Sequence, residues 1–135
     1  VTFDKLKPNA LNFFKRRKIL SNQNFLEMVP VQKRAYEIQE AGRVALLIPK
    51  FRNEAFADLL VPKNKSRYIT IRLDEMGSAT WQLIDAQKNV QQICEELYNS
   101  QNQAFKDMED TVNRVTRYLT MLYEQKYISF SVLER

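Results

Sequence analysis

The sequence predicts an α+β fold in which a small three-stranded antiparallel sheet is followed by three helices. This prediction rests on the pattern of hydrophobic residues along the chain. Before Asp74 the apolar residues occur in runs and alternations typical of strands, whereas a period near 3.6 residues dominates after it. The length of 135 residues fits one hydrophobic core of ordinary size. We therefore expect sheet and helices to occupy separate parts of the chain.

The N-terminal region is basic and predicts one helix. Residues 1–20 contain six Lys and Arg side chains and one acidic residue. Within them, residues 9–20 open with an Asn of the kind that caps helices and place Leu11, Phe14 and Lys18 on one face. This predicts a short amphipathic helix that docks on its own domain, on a partner or on a membrane surface. We expect residues 1–27 to form a basic segment ahead of a domain at residues 28–135.

The strands are predicted from three apolar segments. Residues 28–38 alternate but change phase midway, which indicates one strand with a bulge. A turn at residues 40–43 and a continuous apolar run at residues 44–48 complete a hairpin. Residues 68–73 alternate cleanly, with Ile69, Ile71 and Leu73 on one face, and predict a half-buried strand. Residues 50–67 hold no period and read as a connection.

Three helices and a last short strand at residues 127–131 follow. Asp74 is placed to cap the first helix, and Asn89 with Gln92 forms a capping-box pair for the second. The third helix is predicted at residues 105–125. The expected apolar positions are, for the first helix, Ala79, Thr80, Leu83 and Ile84 with Trp81 to one side; for the second, Val90, Ile93, Cys94 and Leu97; for the third, Met108, Val112, Val115, Leu119 and Leu122. This order is the outline of a winged helix-turn-helix.

Composition excludes several chemistries. The chain contains no His, one Cys and two Gly, so His-based triads, structural zinc, iron–sulfur clusters and glycine-rich phosphate loops are not expected. We predict a protein without catalytic residues, bound metal or cofactor. A single thiol allows no intrachain disulfide, and no apolar run is long enough to span a membrane. These features favour a cytoplasmic location.

A family resemblance is found where the first two helices begin. The segment Leu73-Asp-Glu-Met-Gly-Ser-Ala-Thr-Trp-Gln-Leu-Ile-Asp85, continued by Asn89, Val90 and Ile93, resembles the PqqD family. Its pattern is a strand, an acidic residue, a Gly, an aromatic residue and then Leu-x-Asp-Gly and Thr-Val-x-x-Ile. The chain has Ala86 in place of the usual Gly and Asn89 in place of Thr, and it has Lys126-Tyr127 where a Gly usually precedes the last apolar pair.

This resemblance implies a non-catalytic peptide-binding module. In such modules the leader segment of a precursor peptide is held as an added strand in a groove between the third strand and the third helix. The module then presents the precursor to a separate modifying enzyme, which for PqqD is a radical S-adenosylmethionine enzyme. Carried onto this chain, the peptide-binding residues are Tyr68, Ile69, Thr70, Ile71 and Arg72 on the strand and Thr111, Arg114, Tyr118 and Met121 on the helix.

Two other functions stay open at this stage. The outline and the net charge of +5 also suit a winged-helix DNA-binding domain or a regulatory domain that contacts a folded protein. However, the third helix begins near Asp107, Glu109 and Asp110, and residues 74–135 carry a net charge of −4. Because that charge repels phosphate, a nucleic-acid partner is not expected. The sequence leaves homodimerisation open.

Overall fold

The computed structural model describes residues 23–51, 59–61 and 66–134. The elements are strands β1 (Pro30–Gln32), β2 (Ala35–Ile38), β3 (Val44–Pro49), β4 (Tyr68–Arg72) and β5 (Ile128–Phe130), and helices α1 (Glu75–Leu83), α2 (Val90–Ser100) and α3 (Met108–Glu124). The predicted α+β class, with a three-stranded antiparallel sheet and three helices, is confirmed. The predicted helix at residues 9–20 and most of the connection at 50–67 lie outside the described residues.

The described chain divides into two compact units. Residues 33–83 form the sheet unit, which contains β2, β3, β4 and α1. The helical unit contains β1 and the residues from Ile84 onward, with α2, α3 and β5. The predicted boundary between residues 27 and 28 stays a prediction.

Strand β3 is the central strand of the sheet unit. It pairs antiparallel with β2 on one side and with β4 on the other, in a register that places Leu46 opposite both Tyr36 and Ile71. Its residues Val44, Ala45 and Leu46 are fully buried. The first half of β3 is therefore buried on both faces, and this explains why its apolar run is continuous there, because such a segment has no solvent side on which to place polar residues.

Helix α1 is attached to β3 by polar and aromatic contacts. The Asp74 carboxylate accepts the Gly77 N–H at 2.6 Å, as the predicted cap requires, and Ser78 Oγ accepts the Val44 N–H at 2.8 Å. Trp81 is fully buried and meets the edge of the Tyr36 ring at 5.9 Å between centroids. Of the predicted apolar positions, Thr80 and Ile84 are buried, whereas Ala79 and Leu83 are only half-buried. The buried face of α1 also includes Ser78.

The helical unit confirms the predictions for α2 and, in part, those for α3. Asn89 and Gln92 exchange their capping-box hydrogen bonds at 2.8 Å each. The predicted stripe of α2 is buried throughout: Val90, Ile93, Cys94 and Leu97. In α3, Val115, Leu119 and Leu122 are buried, while Val112 is half-buried and Met108 is exposed. Helix α3 begins at Met108 and not at residue 105, because the Asp107 side chain accepts the Asp110 N–H and so caps the helix there.

The prediction of one bulged strand at residues 28–38 is wrong. Residues 30–32 form β1 and pair with β5, whereas residues 35–38 form β2 and pair with β3. The change of phase therefore marks the point where the chain leaves one sheet and enters another. Phe25 and Tyr123 pack against Phe130 of β5, with ring centroids 5.6 and 5.5 Å away, and so bury the small sheet.

Two departures from the family pattern fall on left-handed backbone. Ala86 has φ 63° and Lys126 has φ 66°, a region where glycine carries no steric penalty. Lys126 lies just after α3, where its N–H donates to Tyr123 O at 3.0 Å and the Tyr127 N–H donates to Leu122 O at 2.9 Å. These two bonds form a Schellman motif, whose left-handed residue is usually glycine.

The substitutions Ala86→Gly and Lys126→Gly are each expected to stabilise the protein by about 0.5–1 kcal/mol, because relief of left-handed strain exceeds the added entropy of the unfolded chain. Chemical denaturation measures this difference. Matched controls are Ala79→Gly within α1 and Gln125→Gly at φ −79°, which should destabilise. A loss of stability in both test variants would contradict the strain assigned to these positions.

Asp85 holds the turn that contains Ala86. Its carboxylate accepts the backbone N–H groups of Lys88 at 2.8 Å and Gln87 at 2.9 Å and pairs with the Lys88 ammonium at 2.9 Å. The bonds from Lys88, first from its backbone and then from its side chain, lower the pKa of the Asp85 carboxyl well below its usual range. The same pairing raises the pKa of Lys88.

Acid should remove the contribution of this turn to stability. Since the folded-state pKa of Asp85 lies below its unfolded value, the carboxylate stabilises the fold above about pH 4, and this contribution is lost as the pH falls further. We expect the difference in unfolding free energy between the wild type and Asp85→Ala to shrink as the pH falls from about 5 to about 2. A difference that stays constant over this range would contradict the role of the ionised carboxylate.

Candidate functional site

The hydrogen-bond phase of β4 decides which of its backbone groups face outward. Leu73 N–H donates to Val44 O and Lys50 N–H donates to Arg67 O, both at 2.9 Å. In an antiparallel ladder the bonded positions alternate, so the odd-numbered residues from 67 to 73 direct their backbone groups toward β3. The even-numbered residues Tyr68, Thr70 and Arg72 direct theirs to the opposite side, where β4 has no partner strand within the described residues.

This outer edge is closed at both ends. At the start of β4, the Ser66 hydroxyl accepts the Tyr68 N–H at 3.1 Å and donates to Tyr68 O at 3.2 Å. At the other end, Asp74 O accepts the Ser78 N–H at 2.8 Å as α1 begins. The N–H and C=O groups of Thr70 and Arg72 remain, and none of the described residues bonds them. They are the part of the edge on which another strand can pair.

The side chains of β4 present two different surfaces. Ile69 and Ile71 lie on one face, where Ile69 is 50% exposed and Ile71 is half-buried. The predicted half-buried face therefore becomes progressively more exposed from Leu73 to Ile69. The other face carries Tyr68, Thr70 and Arg72, all exposed. Residues 66–73 contain no acidic side chain, and Arg72 forms no ion pair with any described residue. The edge thus combines apolar contact with positive charge.

Of the four site residues predicted on α3, Thr111 and Arg114 are engaged within the helical unit. Thr111 is fully buried and its hydroxyl donates to Asp107 O at 2.9 Å, so it supports the helix from the core and offers no surface to a ligand. The Arg114 guanidinium donates to Ala104 O at 2.7 Å, lies 4.7 Å from the centre of the Phe105 ring and is 3.7 Å from the Asp110 carboxylate. It stabilises the start of α3.

Tyr118 and Met121 are more accessible. Tyr118 is half-buried with its hydroxyl oxygen directed inward, and Met121 is 42% exposed. They lie about one turn apart on α3, as their spacing predicts. The structure thus brings the five strand residues together on β4, in the sheet unit, and the four helix residues together on α3, in the helical unit. A common contact with one peptide stays a prediction.

The sequence prediction missed Ser66. A serine hydroxyl commonly bonds the backbone of the residue two positions later in the chain. The sequence pattern alone, however, does not show on which side of the strand that bond lies. The phase of the ladder, and hence the outward direction of Tyr68, is needed as well.

The sheet unit has a second edge at β2. The Gln39 N–H donates to Arg43 O at 2.7 Å, so the odd-numbered residues of β2 face β3 and the even-numbered Tyr36 and Ile38 face outward. Ile38 is 58% exposed. This edge belongs to a strand of four residues against five in β4, and it carries Glu37. It provides an internal comparison for any experiment on β4.

The described residues offer little other chemistry. Cys94 is buried, and desolvation raises the pKa of its thiol to about 11, which makes it a poor nucleophile. The described ranges hold no group of three or more Cys, Asp or Glu side chains close enough to bind a metal ion. Within the same ranges, no helix combines the length and apolar character needed to cross a membrane.

Comparison with known proteins identifies the family. The family model described as coenzyme PQQ synthesis protein D (PqqD) matches residues 59–128, which is 70 of the 135 residues of the chain. Searches of curated proteins and of solved structures give no match. The matched range contains β4, α1 and α2, all of α3 and the first residue of β5. Since it covers more than half of the sequence, the chain belongs to the PqqD family.

Proposed function

We propose that this protein binds a precursor peptide, holds its leader segment as an added strand along β4 and presents it to a separate modifying enzyme. Family membership supports peptide binding as a step in the synthesis of a modified peptide. The observation that carries the proposal is the outer edge at Thr70 and Arg72, whose backbone groups are bonded by none of the described residues, because strand addition requires backbone donors and acceptors that have no partner.

The side chains of β4 define the chemistry of the bound segment. In an added strand, residues opposite Ile69 and Ile71 lie on the same face as these isoleucines and gain apolar contact there. A residue opposite Arg72 lies beside an exposed guanidinium that no described carboxylate neutralises, so an acidic side chain is favoured. The proposed ligand is an extended peptide that alternates apolar residues with polar ones and has one acidic residue near the end of β4.

The helix residues of the proposed site contribute unequally. Met121 and Tyr118 stay predicted peptide contacts, with adaptable apolar surface. Arg114 contacts the peptide only if its guanidinium leaves the Ala104 carbonyl and the Phe105 ring, or bonds the peptide in addition to them. Thr111 is fully buried, so it supports the site only by packing α3 against its own unit.

The modifying chemistry belongs, in this proposal, to the partner enzyme. Among PqqD proteins that partner is a radical S-adenosylmethionine enzyme, and the same class is proposed here. The buried Cys94 thiol and the absence of His from the chain agree with a carrier role. A DNA-binding role is less well supported, because Asp107, Glu109 and Asp110 place negative charge at the start of α3.

Two neighbouring proline substitutions should differ in their effect on folding. Thr70→Pro removes an N–H that faces away from β3, so the free energy of unfolding should change little. Ile71→Pro removes an N–H that faces β3 and should cost about 1–3 kcal/mol, since the acceptor in β3 loses its donor. Denaturant titration measures both values. Equal destabilisation by the two variants would contradict the hydrogen-bond phase of β4.

Peptide binding is tested with a ligand selected from a random peptide display library on the immobilised protein and then synthesised. An NMR titration of the wild type should shift the amide signals of residues 68–73 together with those of Arg114, Tyr118 and Met121. Thr70→Pro should weaken binding about threefold to tenfold, which corresponds to one lost hydrogen bond. Ile38→Pro removes an outward N–H from the opposite edge and is the matched control, with affinity expected within about twofold of the wild type.

Three results would contradict the assignment. Binding lost in Ile38→Pro but kept in Thr70→Pro would move the peptide to β2. Shifts confined to residues 9–20 would place it on the N-terminal segment. Salt-sensitive binding of a DNA duplex, with no peptide selected by the protein, would favour the winged-helix alternative.

A further inference from the structure

The edge offered by β4 is shorter than the strand itself. Three residues direct backbone groups outward, yet those of Tyr68 are already bonded by the Ser66 hydroxyl, at 3.1 Å to the N–H and 3.2 Å to the C=O. One hydroxyl can accept and donate at the same time, so it replaces both bonds that a neighbouring strand would make at this position. Beyond Arg72, the carbonyl of Asp74 is committed to α1.

We propose that Ser66 limits how far a bound peptide can pair along β4, because its hydroxyl closes the first outward position of the strand and leaves, among the described residues, Thr70 and Arg72 for pairing. This inference rests on the proposed function, since it assigns a new determinant to the same edge. Ser66 acts on the peptide through Tyr68 and is therefore a positioning residue.

The closure restricts the class of peptide that fits. In an antiparallel pairing, bonds at two positions separated by one residue involve three consecutive peptide residues, opposite Thr70, Ile71 and Arg72. The middle residue lies on the isoleucine face and is apolar, and the residue opposite Arg72 is acidic. For a peptide that runs antiparallel to β4, the preferred core is thus an acidic residue, an apolar residue and then any residue. Pairing does not extend to a residue opposite Tyr68, because the Ser66 hydroxyl occupies both backbone groups there.

The unbound protein gives the first test, through amide hydrogen exchange measured by NMR. In the wild type the Tyr68 amide should be protected, whereas those of Thr70 and Arg72 should exchange rapidly. Ser66→Ala should accelerate exchange at Tyr68 by about tenfold, and Ser66→Thr, which keeps the hydroxyl, should restore protection. Equal exchange at Tyr68 in the wild type and Ser66→Ala would overturn the proposal.

The second test uses the synthetic peptide selected on the wild type, together with versions extended by two residues at either end. Binding to the wild type should protect Thr70 and Arg72 and leave Tyr68 unchanged, and the extensions should not alter affinity. In Ser66→Ala one extension should tighten binding about threefold or more, because Tyr68 becomes available for pairing. In Ser66→Thr, which keeps the hydroxyl, the extensions should again leave the affinity unchanged.

The outcomes separate the two proposals. Selected peptides that protect Thr70 and Arg72, yet gain the same affinity from extension in the wild type and Ser66→Ala, would overturn the role of Ser66 and leave the proposed function standing. Selected peptides that protect neither Thr70 nor Arg72 would overturn both, because no strand would then be added to β4.

Discussion

The hydrogen-bond phase between β3 and β4 is the constraint on which the exposed edge depends. It is fixed where the ladder ends, since Val44 O accepts the Leu73 N–H while the Val44 N–H donates to Ser78 Oγ at the start of α1. The same hydroxyl lies 3.4 Å from Leu73 O, so it bridges the point at which the chain leaves the sheet. A slip by one residue would exchange the two faces of β4 and turn the outward groups inward. Buried Ser78 therefore helps define a surface that it does not touch.

An open edge is normally a liability, and the chain limits it in two ways. In the helical unit, β1 places Pro30 at a position that faces away from β5, because the neighbouring Val29 O accepts the Ser131 N–H. Pro30 is fully buried, and because proline has no N–H, this position leaves no backbone donor to satisfy. On β4 the limits are the exposed charge of Arg72 and the hydroxyl of Ser66, which leave a short edge that stays available for pairing. The two strands thus differ: β1 has no donor at Pro30, whereas on β4 the backbone groups of Thr70 and Arg72 are bonded by none of the described residues.

Periodicity and capping chemistry predicted most of the fold. Because Asn89 and Gln92 satisfy each other's backbone within one turn, their bonds could be inferred from local sequence, as could the buried stripe of α2. The division of residues 28–38 between two sheets could not, since strand partners are chosen by distant residues such as Phe130 and Leu46. Nor could the positions of Thr111 and Ser66: the first depends on which side of α3 is buried, and the second on the phase of a ladder formed with β3. The strand half of the candidate site was therefore predictable in outline, but its usable length was not.

The departures from the family pattern show why the resemblance survives in so divergent a chain. At Ala86 and Lys126 a glycine is missing, but the backbone still adopts the left-handed conformation that the family pattern requires. At Ala86 the Asp85 carboxylate holds the turn through two backbone N–H groups, and at Lys126 the Schellman bonds do so. Surrounding hydrogen bonds can enforce such a conformation on a residue that disfavours it, at a cost in stability and not in topology. The left-handed conformation at these turns is thus held by the hydrogen bonds around them, although neither residue is a glycine.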